Sequence, residues 1–112
     1  MYTTHVINGH SYLIHSRVAS SRTGFAHVST LIRDGGEIAT KRVNYYNGTW
    51  ESYQYRTSMR LVVEAVMKQE MDSLIAHYKR ESGLKRLSAA KKEELSNSTT
   101  LMLDLKELMT KI

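Results

Sequence analysis

Apolar and polar positions change period near the middle of the chain. Up to about residue 46 they alternate, as in strands with one buried face; from about residue 57 they recur every three or four residues, as on a helix. Asn8-Gly9 is the strongest hairpin signal, because a type I′ turn needs positive φ at both central residues. It predicts Val6-Ile7 paired with His10-Ser11. A second strand from about His10 to Ala19 has His10, Tyr12, Ile14, Ser16 and Val18 on one face and Ser11, Leu13, His15 and Arg17 on the other. Ser20-Ser21-Arg22-Thr23 reads as a polar loop. A third strand, about Gly24 to Arg33, places Ala26, Val28, Thr30 and Ile32 together, and Asp34-Gly35-Gly36 forms a tight turn. A fourth, about Glu37 to Tyr46, sets Ile38 opposite Ile32 and Tyr45 opposite Phe25 when the turn holds three residues.

Beyond the strands, Met59, Val62, Val63, Val66, Met67, Leu74, Ile75 and Tyr78 form a helical stripe. Thr57 or Ser58 is placed to cap its start, and Gly83 to end it in a left-handed conformation, giving a helix over about Ser58 to Ser82. Trp50 to Tyr55 is a fifth strand, a loop or an early start to this helix, and the strand-like alternation of Tyr53 and Tyr55 favours an extended segment. Ser88 caps a second helical region, Ala89 to Leu95. Ser96 to Thr100 then lowers helix propensity before Leu101, Leu105, Leu108 and Ile112 resume one stripe beside Met102 and Met109. This region is one helix with a weak middle or two helices meeting near Asn97. The whole is an α+β fold: an antiparallel sheet of three to four strands packed on a long helix, followed by one or two C-terminal helices. Residues 1–112 form one domain, with 1–56 a β-meander ending in an aromatic segment and 57–112 helical. The C-terminal stripe either covers the remaining apolar face or makes a homodimer through Leu101, Leu105, Leu108 and Ile112.

Composition narrows the class. Hydrophobic residues at 41% and charged ones at 24% fit a globular chain, and no apolar run is long enough to cross a membrane. The first residues lack the basic start and apolar block of a secretory signal, which favours the cytoplasm. Cysteine is absent, excluding disulfides and thiol chemistry. The net charge of +5 is spread along the chain, with one concentration. Lys79, Arg80, Lys85, Arg86, Lys91 and Lys92 face only Glu81 across residues 79–92, a segment that reads as a solvated connection or as a surface for phosphates or acidic protein.

Catalytic signals are weak. His5 and His10 share a face while His15 points the other way, and no Asp or Glu accompanies His10 and His27, so a metal site is not expected. His77 reads as solvent-facing. No Ser or Thr stands in a nucleophile-elbow context, and Gly35-Gly36 and Gly48 form no phosphate loop. The paired carboxylates Glu93-Glu94 and Glu70/Asp72 read as helix surface. The expectation is a protein that is not an enzyme and carries no cofactor. Nucleic-acid binding has more in its favour: Arg17, Arg33, Lys41 and Arg42 with Tyr12, Tyr45 and Tyr46 supply cations and rings on a sheet, the ingredients of a single-strand platform. The same tyrosines are equally suited to a core.

The run Tyr45-Tyr46-Asn47-Gly48-Thr49-Trp50-Glu51-Ser52-Tyr53-Gln54-Tyr55 holds five of the nine aromatic residues, including the only Trp. Such rings either lock a sheet onto a helix or serve as rigid anchors for a partner. The run resembles a pattern in small accessory proteins of bacteriophages and other mobile elements, where a Tyr-rich strand ends in Asn-Arg-Thr-Trp-Glu before an aromatic pair and a helix. Here Gly48 stands where Arg is usual. The resemblance covers about fifteen residues, and it implies a setting in which non-catalytic proteins of this size inhibit bacterial defence, anti-CRISPR proteins among them. The expected function is to bind and occlude a host protein or ribonucleoprotein through Trp50, Tyr53, Tyr55, Lys79, Arg80, Lys85 and Arg86. Its basic charge suits an acidic surface, or the nucleic acid within a complex, better than DNA mimicry. The alternative is a sheet-based single-stranded nucleic-acid binder using Arg17, Arg33, Lys41, Arg42 and Tyr45.

Overall fold

Asn8 and Gly9 adopt φ of 51° and 81°, the left-handed pair that a two-residue hairpin turn demands. In the computed structural model, which describes residues 1–21, 24–45 and 52–112, this turn joins β1 (Tyr2–Ile7) to β2 (His10–Ser21). β3 (Gly24–Arg33) and β4 (Gly36–Tyr45) complete an antiparallel meander in the order β1-β2-β3-β4. The turn between β3 and β4 holds two residues rather than three, with Asp34 at φ 50° and Gly35 at 83°. Ile32 therefore pairs with Glu37, not with Ile38. A bulge between Leu31 and Ile32 absorbs Ile38 as the extra residue, so Phe25 still meets Tyr45 as the alternation requires. Two further bonds pin the turn, from Ser11 N to Asp34 Oδ1 at 2.8 Å and from Asp34 N to Ser11 O at 2.8 Å.

The registers sort the sheet into two faces. Tyr12, Ile14 and Ser16 lie opposite Arg33, Leu31 and Ser29 on one; Leu13, His15 and Arg17 lie opposite Ile32, Thr30 and Val28 on the other. The first face is covered by α1 (Ser52–Ser82) through Met59, Val62, Val63 and Val66, all buried. Small polar residues let the helix come close: Ser29 Oγ donates to Ser16 Oγ at 2.9 Å and shares a 2.6 Å bond with Ser58 Oγ, all three buried. Ser58 is thus a core contact and not a helix cap.

α1 begins earlier than the alternation of Tyr53 and Tyr55 suggests. Tyr55 sits one turn before Met59 and extends its stripe, and its ring meets buried His27 edge-on at 4.7 Å. Ser52 to Arg56 thus belong to the helix, ahead of residue 57. Trp50 lies outside the described residues, as does the side chain of Tyr53. With 31 residues α1 is about 46 Å long, close to the 48 Å longest dimension of the molecule. Only its first half is buried on the sheet; beyond Val66 the positions that continue the sheet-facing stripe are Glu70, Ser73, His77 and Arg80. The apolar stripe turns by roughly 100° to Met67, Met71, Leu74, Ile75 and Tyr78, all half-buried.

Gly83, at φ 72°, ends α1 by donating its N–H to Lys79 O at 2.9 Å. Two C-terminal helices follow, α2 (Ala89–Ser96) and α3 (Thr100–Lys111). Ser88 Oγ accepts from Lys91 N at 3.1 Å and Thr99 Oγ1 from Met102 N at 3.2 Å, so each helix has its own cap. Ser96 and Ser98 donate back to Glu93 O and Leu95 O, which ends α2. α2 has no buried residue, whereas α3 buries Met102, Asp104, Leu105 and Leu108. Leu105 and Leu108 join the core, with Leu101 and Ile112 packed against it. The C-terminal stripe therefore packs against the core of its own chain. From α1, Arg60 Nη1 donates to Met109 O at 3.0 Å and Ile112 O at 2.9 Å, closing the end of α3. Among the described residues no helix is long and apolar enough to cross a membrane.

Candidate functional site

The expected partner-binding residues do not form one patch. Tyr55 and Lys79 stand at opposite ends of α1, about 36 Å apart by helical rise. Tyr55 is half-buried against His27, which makes it a joint between helix and sheet. The basic group at the other end is open: Arg80, Lys85 and Arg86 are exposed and Lys79 half-buried around the Gly83 turn. Leu84 in that turn is 51% exposed. Lys91 reaches back from α2 over the Tyr78 ring, 4.3 Å from its centre, and bonds Glu94 at 3.1 Å. The Glu94 carboxylate, with a smaller contribution from Tyr78, holds the Lys91 ammonium above its ordinary pKa, so it stays charged. Lys92 is exposed beside it. Folding gathers onto one end of the molecule a set of cations that the sequence spreads over 79–92.

The sheet face away from α1 is a second surface. Arg17 and Arg42 lie opposite Val28 from its two neighbouring strands, making one row across the sheet, and both are exposed. Tyr2, 70% exposed, tilts against His15 with ring centres 5.8 Å apart, and Val6 is 72% exposed. Arg33, Lys41 and Tyr12, also expected on this platform, are elsewhere. Arg33 faces α1 and donates from Nε to Tyr12 Oη at 3.0 Å; Lys41 pairs with Ser29 on that side; Tyr12 is fully buried. Tyr45 contributes its backbone pairing with Phe25, its side chain lying outside the described residues.

The histidines scatter as the strand geometry requires. His5 bonds Thr3 Oγ1 at 2.8 Å, His27 is buried and His77 exposed. His10, expected to lack an acidic neighbour, has one: its Nδ1 lies 2.6 Å from Asp34 Oδ2. The hydrogen bond from His10, then that from Ser11 N, lowers the Asp34 pKa. Among the described residues no group of three His, Cys, Asp or Glu side chains is arranged to hold a metal.

One polar cluster escaped the sequence reading. Asp104 is fully buried, accepting from Tyr12 Oη on Oδ2 at 2.6 Å and from Asn8 Nδ2 on Oδ1 at 2.7 Å. The hairpin turn is thereby tied to α3, ninety-six residues along the chain. Burial and the bond to Asp104 push the Tyr12 hydroxyl up to about 12, against the opposing pull of Arg33. A signal existed: Asp104 follows Leu101 by three residues and precedes Leu108 by four, which puts a lone carboxylate on the apolar side of α3. Its enclosure makes the cluster a fastening of the fold and not a place where a substrate binds. No protein-family model, curated protein or solved structure matches the chain.

Proposed function

We propose that this protein is a non-catalytic accessory protein of the bacteriophage or mobile-element kind, acting in the bacterial cytoplasm by binding and occluding a host protein or ribonucleoprotein such as a CRISPR effector. The observation that carries the reading is the basic end, where Lys79, Arg80, Lys85, Arg86 and Lys92 stand around an exposed leucine with Glu81 as the one carboxylate in 79–92. A surface of that composition suits an acidic protein face with an apolar centre. Capture from bacterial lysate with and without nuclease tests it, alongside a variant with Lys79, Arg80, Lys85 and Arg86 changed to Glu. The reading requires a nuclease-resistant protein partner whose capture weakens with salt and is lost in the variant. An unaltered partner in a folded variant would remove the basic end from the mechanism.

The row Arg17–Val28–Arg42 beside the Tyr2–His15 pair favours a second reading, a sheet face that takes single-stranded nucleic acid. Salt-dependent anisotropy of short labelled oligonucleotides, abolished by Arg17→Glu with Arg42→Glu, is the result it requires.

A further inference from the structure

Between α1, α2 and α3 lies an open cleft of about 520 Å³. Met67 and Met71, one turn apart on α1, and Met102 of α3 form its floor. Each of the three helices contributes one lysine to its walls: Lys68, Lys92 and Lys106. Glu93 is the one carboxylate among the lining residues. We infer that this cleft docks an acidic amphipathic segment of a protein partner, one bulky apolar side chain entering over the methionines while flanking carboxylates meet the lysines. The inference rests on the protein-binding reading above and names the chemistry of the partner.

Three observations support this occupant. The volume falls within the range of roughly 300–1,000 Å³ typical of ligand pockets, and methionine side chains are unbranched and polarisable, able to refit around varied groups. The lysine charges are available. Lys106 Nζ donates to Ser96 Oγ at 2.9 Å and Asn97 Oδ1 at 2.8 Å, both neutral, and Lys68 pairs with Asp72 at 3.2 Å in an exposed helical pair that is easily exchanged. Finally, the cations stand on three separate helices. A single carboxylate of a fatty acid satisfies one wall, whereas a segment with several carboxylates serves all three. Lys92 also belongs to the basic end, so the cleft and that patch form one continuous surface.

Methionine methyl groups labelled with carbon-13 report this site directly. Met67, Met71 and Met102 line the cleft, while Met1, Met59 and Met109 lie outside its lining and serve as references. The probes are short acidic amphipathic peptides with Leu, Phe or Trp as the apolar anchor, the same peptides with Lys for each Glu, and dodecanoate. The expected result is movement of the three cleft methyls alone, with the acidic peptides alone. Lys68→Glu with Lys92→Glu should weaken binding about tenfold or more while the Met59 methyl stays in place. Shifts from the basic peptides, tighter binding of dodecanoate, no cleft shift at all, or cleft shifts that disappear on dilution of the protein by itself would each overturn the assignment. The last would mark the cleft as a contact between copies of the chain. A lysate partner captured equally by the Lys68/Lys92 variant but lost on reversal of the Lys79–Arg86 group would overturn the cleft while leaving the proposed function standing.

Discussion

Replacing Tyr12 by Phe separates the buried polar cluster from the packing around it. The ring keeps its place among Ile7, Ile14, Leu31 and Leu105, but the hydroxyl that donates to Asp104 Oδ2 at 2.6 Å and accepts from Arg33 Nε at 3.0 Å is lost. Removing a partner from a buried carboxyl costs about 2–3 kcal/mol near neutral pH. That penalty should shrink as the solution becomes alkaline. The Tyr12 hydroxyl is pushed to about 12 in the fold, from about 10 in the unfolded chain. The folded state therefore holds this proton more tightly. The wild type has the full benefit below pH 10 and loses it as pH rises through 12, by about 1.4 kcal/mol at pH 11 and about 3 kcal/mol beyond both values. The variant has no such proton, so the pH dependence of the stability difference reports on Tyr12. Urea unfolding followed by circular dichroism between about pH 8 and 11 should show the stability difference falling by roughly half. A difference constant across that range would refute the coupling of Tyr12 to Asp104.

Asn8→Gly preserves the left-handed turn and removes only the 2.7 Å bond to Asp104, so denaturant unfolding should show a loss of about 1–2 kcal/mol even though Gly suits the turn. Leu105→Ala opens the core beneath α3; it should cost about 2–5 kcal/mol in the same assay and leave the sedimentation mass unchanged, because the residue is buried within its own chain. Asp34→Asn tests the second turn. The His10 bond and the Ser11 N–H lower the Asp34 pKa, so the carboxylate contributes stability above the ordinary carboxylate range and loses it as pH falls. Thermal melts of the variant should show a shallower decline on acidification than the wild type, and parallel curves would exclude Asp34 from acid stability.

How far the sequence reaches depends on the range of each interaction. Asn8-Gly9 and Asp34-Gly35 are local: steric rules on φ name the turn residues, and alternation carries the registers outward to Tyr45. The same alternation misplaced Ile38, because a two-residue and a three-residue turn differ by one position and only the bulge reconciles them. Tyr53 and Tyr55 misled for a related reason. Two residues at a spacing of two fit a strand, yet Tyr55 and Met59 at a spacing of four fit a helix, and burial on His27 decides between them. The candidate surfaces needed the tertiary fold. No pattern local to 79–92 shows that Lys91 turns back over Tyr78, and none places Lys68, Lys92 and Lys106 around three methionines. Arg17 and Arg42 looked equivalent to Arg33 and Lys41 until the registers divided them between faces.

The turn of the apolar stripe along α1 divides the molecule into parts of unequal stability. The stretch of α1 from Met59 to Val66 is held between sheet and α3 by the buried side chains of Met59, Val62, Val63 and Val66, whereas Met67 to Tyr78 and all of α2 are half-buried at best. Local opening requires only the contacts it breaks, so the distal half of α1 and α2 should open at lower free energy than the proximal half. Native-state amide exchange tests this: the amides of Val62 to Val66 should exchange only through global unfolding, and those of Leu74 to Tyr78 and of α2 measurably sooner. Equal protection along the whole of α1 would mean that the helix is one cooperative unit and that the distal stripe is better packed than its exposure indicates. The division bears on binding as well. Cations at Lys79, Arg80, Lys85, Arg86 and Lys92 sit on the less stable part, where reversing their charge leaves the sheet core untouched, so a binding defect in such variants reports on the surface and not on the fold.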